Sequence, residues 1–257
     1  MNEFESYVQK EKRAKKLLLL LKCFISTLII MIFILVIIYI VQSTQNNTTT
    51  THEGFRMIPA VKEICFDPEN QTTFMEYVNI LNTFIQPYEK SRKNVIDCST
   101  QVPKGNEVCE FRTSWLNRCQ KKTFWGFKSS SPCIILTLDK NMTFIPMPYS
   151  SKLPNEMPQE FKDLIMEEEE DDGLMRKEIV RVYCTNATTF NPLSGFFKNS
   201  ITFNNETKNE DFLSPLVAVQ FNLHDIDNLD IECTLWSNTK IINPFPKFQF
   251  KIRKYCE

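Results

Sequence analysis

Glycine is scarce in this 257-residue chain, which has 5, so a glycine-rich phosphate cradle is all but excluded and turns fall to Asn, Asp and Pro. Histidine is nearly absent at 2, which leaves general acid–base chemistry little to use. Neither charge is in surplus, with Lys+Arg 30 against Asp+Glu 31, and a basic face that neutralises nucleic-acid phosphates is not expected. No C-x-x-C occurs, and His52 and His224 stand apart from cysteine pairs, which argues against a structural metal centre. There is no nucleophile motif and no internal repeat. What remains, 42% hydrophobic and 24% charged, is ordinary globular composition and excludes disorder.

What the sequence does have is one long apolar run. Cys23 to Val41 is nineteen residues without a charge, extended backwards by Leu17 to Leu21. A helix of ~20 such residues spans a bilayer core, whereas a cleaved signal peptide has a shorter apolar stretch and a small-residue cleavage site, which Gln42 to Gln45 do not provide. Lys10, Lys12, Arg13, Lys15 and Lys16 precede the run and no charge follows it until His52 and Glu53, which predicts a cytoplasmic N-terminus. The expected organisation is a cytoplasmic tail over 1–16, a signal-anchor helix over 17–41, a polar stalk over 42–64 and an extracellular domain over 65–257. The predicted location is the plasma membrane, single-pass type II.

Six N-x-[ST] sequons fit that topology: Asn70, Asn141, Asn186 and Asn205, and also Asn46 and Asn47, which lie nearest the bilayer and are the poorest acceptors. Eight of the nine cysteines fall outside, where disulfides persist, and eight allow 105 pairings that spacing alone does not resolve. One helix is predicted near the membrane: Thr73 and Glu76 read as a capping box, Phe74, Val78, Leu81 and Ile85 recur at helical spacing, and Pro87 ends the pattern. Beyond it the period becomes two, at Val180 to Cys184, Val217 to Leu223, Leu229 to Leu235 and Phe248 to Ile252. These predict a mainly-β domain, an antiparallel sandwich with one membrane-proximal helix. Cys184 and Cys233 both lie on apolar faces, and a bridge between them would cross the core.

The segment Cys109-Glu-Phe111-Arg-Thr-Ser-Trp115-Leu116-Asn-Arg-Cys119, following an N-in anchor, resembles the β subunits of the Na,K-ATPase and H,K-ATPase family. Gly126-Phe127, Pro132-Cys133-Ile134-Ile135-Leu136, Pro146-Met-Pro148, Pro215 to Phe221 and Ile231-Glu232-Cys233 follow in the family's order, and Phe66 to Cys98 is similar to its membrane-proximal helix and first cysteine. The resemblance implies an immunoglobulin-like sandwich with bridges Cys98–Cys109, Cys119–Cys133 and Cys184–Cys233. Cys65 and Cys256 are then left over, and a fourth bridge between them is expected. It implies contacts to a catalytic α subunit through Trp125, Gly126 and Phe127, where the family has Tyr-Gly-Tyr, and through Phe24, Phe33 and Tyr39 of the anchor. Sandwich core is the competing reading of the Trp-Gly-Phe stretch.

The resemblance thus implies a non-catalytic accessory subunit of a Na,K- or H,K-transporting P-type ATPase, supporting the folding, membrane delivery and potassium handling of the α subunit. Its expected partners are that subunit and membrane lipid, with no cofactor, nucleotide or nucleic acid. The alternative is a type II adhesion or receptor glycoprotein that keeps the fold without a pump. Three motifs are set aside. Asp139-Lys140-Asn141-Met142-Thr143 lacks the glycine of the P-type phosphorylation motif. Asp225-Ile226-Asp227 could hold a sugar-nucleotide metal but reads as a hairpin loop between two strands. The acid run Glu167 to Asp172 reads as a solvated loop.

Overall fold

The computed structural model describes residues 54–139, 144–149, 152–172, 178–201, 213–239 and 245–255, together with 24, 27, 30–34 and 36. The chain divides into two units, Met1–Thr48 and Thr49–Glu257. In the first, the described residues are helical, and Thr27 Oγ1 donates to Phe24 O at 2.8 Å. Phe24 and Phe33 are exposed on it. Most of the expected anchor, with Tyr39 and the tail over 1–16, lies outside the described residues, and no helix among those described is long and apolar enough to cross a membrane.

The second unit is β-rich. Its strands are β1 (Phe55–Ile58), β2 (Glu63–Phe66), β3 (Val95–Ile96), β4 (Val108–Cys109), β5 (Cys133–Leu138), β6 (Ile179–Cys184), β7 (Ala187–Asn191), β8 (Gly195–Phe197), β9 (Leu216–Phe221), β10 (Asn228–Trp236) and β11 (Lys247–Lys254). Helices α1 (Met75–Ile85), α2 (Gln159–Asp172) and the single turn α3 (Lys198–Ile201) accompany them. One sheet runs β1-β5-β9-β7 and a second runs β2-β11-β10-β6-β8. Their apolar faces share one core: Phe55 lies 5.1 Å from Phe248 and Phe221 5.9 Å from Phe250, ring centre to centre. Along β11 the alternation is strict, with Phe248, Phe250 and Ile252 inside and Lys247, Gln249, Lys251 and Arg253 outside. The outer face carries cross-strand ion pairs, Lys251 to Asp230 at 2.9 Å and Arg253 to Glu63 at 2.9 Å, whose exposure limits each to a fraction of a kcal/mol.

The stalk expected over 42–64 overlaps the domain, because Phe55 and Met57 are buried in β1 and Ile64 in β2. The sheets are not wholly antiparallel, since β2 pairs with β11 in parallel, Cys65 opposite Arg253. Cys184 and Cys233 are bonded, but they face each other on neighbouring strands β6 and β10 of one sheet, so the bridge does not cross the core. The loop containing Asp225 and Asp227 is not a hairpin, because β9 and β10 belong to different sheets. Asp227 Oδ1 instead lies 3.2 Å from Nζ of the buried Lys254.

The capping box at Thr73 and Glu76 does not form: the N-cap of α1 is Phe74, with no side-chain cap. Thr73 Oγ1 is used one turn earlier, accepting from Asp67 N at 2.8 Å, and Asn70 caps the 3-10 turn Gln71–Thr73. α1 is also not alone, because the acid run Glu167 to Asp172 is the C-terminal half of α2 rather than a loop. Phe161 and Ile165 bury one stripe of α2 against Tyr183 of β6, with Phe161 and Tyr183 rings 4.8 Å apart. Glu168 reaches inward to pair with Arg181, which is 4% exposed, and accepts from Ser194 N at 2.9 Å and Ser194 Oγ at 2.8 Å. A guanidinium so buried must be paired and hydrogen-bonded, and the α2 carboxylate supplies both.

Candidate partner-binding surface

The sequence between Cys119 and Cys133 is drawn into a loop by the disulfide joining them. Within it Phe124, Trp125 and Gly126 take φ of 51°, 53° and 78°, three consecutive left-handed residues that turn the chain inward. Two large side chains pay the steric cost of this conformation by what they bury. Trp125 and Phe127 are both 0% exposed. Phe127 stacks on Phe74, the N-cap of α1, at 5.7 Å and on Tyr77 of α1 at 5.8 Å, and lies edge-on to Phe66 of β2 at 5.3 Å. Trp125 Nε1 donates to Asn82 Oδ1 on α1 at 2.9 Å, so the indole N–H is satisfied inside the protein.

This turn is the clasp that holds α1 to the sheets. The expectation that Trp125, Gly126 and Phe127 touch a partner is therefore corrected: side chains with no exposed surface in the chain itself have none left to present. Gly126 is required for a different reason, since a Cβ there would stand 2.0 Å from Ser131 O. Phe124 alone of the stretch is half-buried, with Lys128 Nζ 5.7 Å from its ring centre.

The cysteine-framed Trp-Leu segment is divided between core and surface. Leu116 is buried, while Trp115 is 36% exposed with Arg112 over its ring at 5.9 Å. Trp115 packs edge-on to Phe111 at 6.0 Å, which in turn meets Tyr88 at 5.1 Å. These three rings, with Phe196, Phe197 and Leu213, line an apolar cleft of about 80 Å³. The Cys98–Cys109 disulfide borders it. Burial raises the Tyr88 phenol far above its usual pKa, and its hydroxyl donates to Ser214 O at 2.6 Å. Tyr149 is shifted upward as well, by burial and then by Glu156. Neither group is placed to exchange protons near neutrality, and among the described residues no group of three or more His, Cys, Asp or Glu could hold a metal.

Of the sequons, Asn70 and Asn186 are exposed. Asn70 Oδ1 accepts from Thr72 Oγ1 at 2.7 Å, and Asn186 Nδ2 donates to Asp230 O at 3.3 Å. Asn46, Asn47, Asn141 and Asn205 lie outside the described residues, as does Cys256. Cys65 is disulfide-bonded.

The family model for the sodium/potassium ATPase beta chain matches residues 12–252. The sodium/potassium-transporting ATPase subunit beta-1 of Drosophila melanogaster is 29% identical over 202 residues, covering 72% of this chain and 62% of the relative. Subunit beta-233 of Anguilla anguilla is 26% identical over 210 residues, covering 69% of this chain and 65% of the relative. Subunit beta-2 of Drosophila melanogaster is 26% identical over 213 residues, covering 73% and 65%. The matches thus span just under two thirds of these relatives' lengths. With its β-rich disulfide-bonded domain and a match that runs almost from end to end, the chain belongs to the sodium/potassium ATPase beta chain family.

Proposed function

We propose that this chain is a non-catalytic accessory subunit that pairs with the catalytic α subunit of a Na,K- or H,K-transporting P-type ATPase and supports its folding, membrane delivery and potassium handling. The observation that carries the reading is the family match over residues 12–252, which takes in both the apolar run and the domain. In this reading residues 17–41 form a signal-anchor in the plasma membrane, type II, and the domain is an extracellular sandwich of immunoglobulin-like kind. Phe24, Phe33 and Tyr39 are the proposed membrane contacts with the α subunit; Phe24 and Phe33 are exposed. Asn70 is the better placed of the two described sequons, because its amide nitrogen is not used as a donor to the fold whereas that of Asn186 is.

The fourth disulfide is proposed between Cys65 and Cys256. Tyr255 N donates to Phe66 O at 2.9 Å, so β11 delivers the chain beside Cys65 one residue before Cys256. A non-reducing peptide map is expected to recover the two cysteines in one linked fragment; Cys256 recovered as a free thiol overturns the pairing.

Co-expression tests the function. An α subunit of this pump class, expressed in cells stripped of their own β subunits, is expected to reach the surface and show potassium-stimulated ATPase activity only with this chain present. Surface delivery that is the same with and without it favours the second reading, an adhesion or receptor glycoprotein, which the burial of Trp125 and Phe127 motivates by removing those rings as pump contacts.

A further inference from the structure

From residue 111 to residue 138 the chain contains no Asp or Glu, yet it carries Arg112, Arg118, Lys121, Lys122 and Lys128. Arg112 is paired with Glu110 at 2.6 Å and Lys121 with Glu89 at 2.6 Å. Arg118 is exposed and makes no ion pair with a described residue. It borders a cleft of about 280 Å³ shared with Ser129, Ser131, Gln220 and His224.

Two loops build this cleft, and the backbone fixes them to each other: Leu223 N donates to Ser130 O at 2.8 Å. Gln220 Nε2 donates one hydrogen to Ser131 O at 3.0 Å, leaving the second. Ser131 Oγ and His224 Nε2 lie 3.3 Å apart. No carboxylate lines the cleft. Of the two acids that follow His224, Asp227 is engaged by Lys254, whose Nζ also donates to His224 O at 3.3 Å.

Both serine hydroxyls are already used as donors, Ser131 Oγ to Ser129 O at 3.2 Å and Ser129 Oγ to Gly126 O at 3.0 Å, but a guanidinium, an imidazole and an amide with one hydrogen left, around one small volume with no acid among them, suit a ligand that brings negative charge and several acceptor oxygens at once. We infer that this cleft binds a tetrahedral oxyanion, a sulfate or phosphate group, with Arg118 as its charge partner and Gln220 and His224 completing its hydrogen bonds. The group arrives either as the free ion or as a sulfate ester on a polysaccharide. The inference does not depend on the accessory-subunit reading.

Calorimetric titration of the purified full-length chain with sodium sulfate, sodium phosphate and a sulfated heparin tetrasaccharide tests it, against Arg118→Gln, His224→Gln and Lys251→Gln. Lys251 lies on the outer face of the five-stranded sheet and serves as the control for diffuse charge. Saturable binding that weakens about tenfold or more in Arg118→Gln, less in His224→Gln and not in Lys251→Gln is the expected result. If the inorganic ions bind, the free ion is a sufficient ligand; if only the tetrasaccharide does, with the same variant pattern, the ester is. No saturable binding of any probe, or equal weakening in Arg118→Gln and Lys251→Gln, overturns the inference. Arg118 is exposed, so its variant should fold, and unchanged melting of the three variants confirms that the comparison is fair.

Discussion

Replacing Gly126 with alanine is expected to destabilise the domain by about 4 kcal/mol, close to the upper end of single-residue effects. Two separate costs combine. The φ of +78° alone disfavours any residue with a Cβ by ~1–2 kcal/mol. The new Cβ would also meet Ser131 O at 2.0 Å and Ser131 C at 2.9 Å, both backbone atoms that cannot swing aside. Ser131 N donates to Gly126 O and Ser131 O accepts from Gln220, so moving that segment breaks two further bonds. Gly105 provides the internal comparison: its φ is +56° and nothing stands within 4 Å of the added Cβ, so Gly105→Ala should carry only the conformational cost, ~1 kcal/mol. For a domain of this size the difference corresponds to a melting point about 10 °C lower for Gly126→Ala than for Gly105→Ala. Thermal unfolding of the two variants side by side checks this, and equal melting points would show that the left-handed turn does not hold α1.

The second large effect is expected from Cys184→Ala combined with Cys233→Ala. The bridge closes a loop with a sequence separation of 49, for which the chain-entropy account gives about 4 kcal/mol. Removing Cys98–Cys109, with a separation of 11, should cost about 3 kcal/mol on the same basis. Because Cys184 and Cys233 are register partners between β6 and β10, the ladder around them persists without the bond. The expected outcome is thus a domain that still folds, with a lower denaturant midpoint and a steeper slope, because the unfolded chain freed of the bridge expands and exposes more surface. An unchanged slope, or a smaller loss than that from removing Cys98–Cys109, would mean that the native ladder and not the unfolded chain sets the effect.

How far the fold was legible follows from the range of each signal. The four late strands declare themselves because their inward residues alternate over five or more positions, and α1 because its buried residues repeat at 3.6. β1 and β2 are four residues each and follow a polar stretch, so two alternations were too few to separate them from a stalk. α2 was hidden by its own composition: six consecutive acids conceal a stripe carried by Phe161 and Ile165, and only the fold reveals that Glu168 turns inward to Arg181.

Partner and core readings of Phe124-Trp125-Gly126-Phe127 were indistinguishable in sequence, since aromatic residues serve both. The scarcity of glycine was the available clue, because one of only 5 glycines placed between two aromatic residues marks a backbone that needs it. That Cys184 and Cys233 both sit on apolar faces was readable; that the faces belong to one sheet was not, as strand pairing is non-local. The cleft at Arg118 was invisible for the same reason, Ser131 and His224 being 93 residues apart.

If this chain is the accessory subunit of a cation pump, the tagged protein should bring its partner with it when purified from its own cells in mild detergent. The expected eluate holds a stoichiometric P-type catalytic subunit, with potassium-stimulated ATPase activity whose dependence on sodium or acid identifies the counter-ion. Correctly folded protein recovered from the cell surface with no such subunit and no such activity would contradict it.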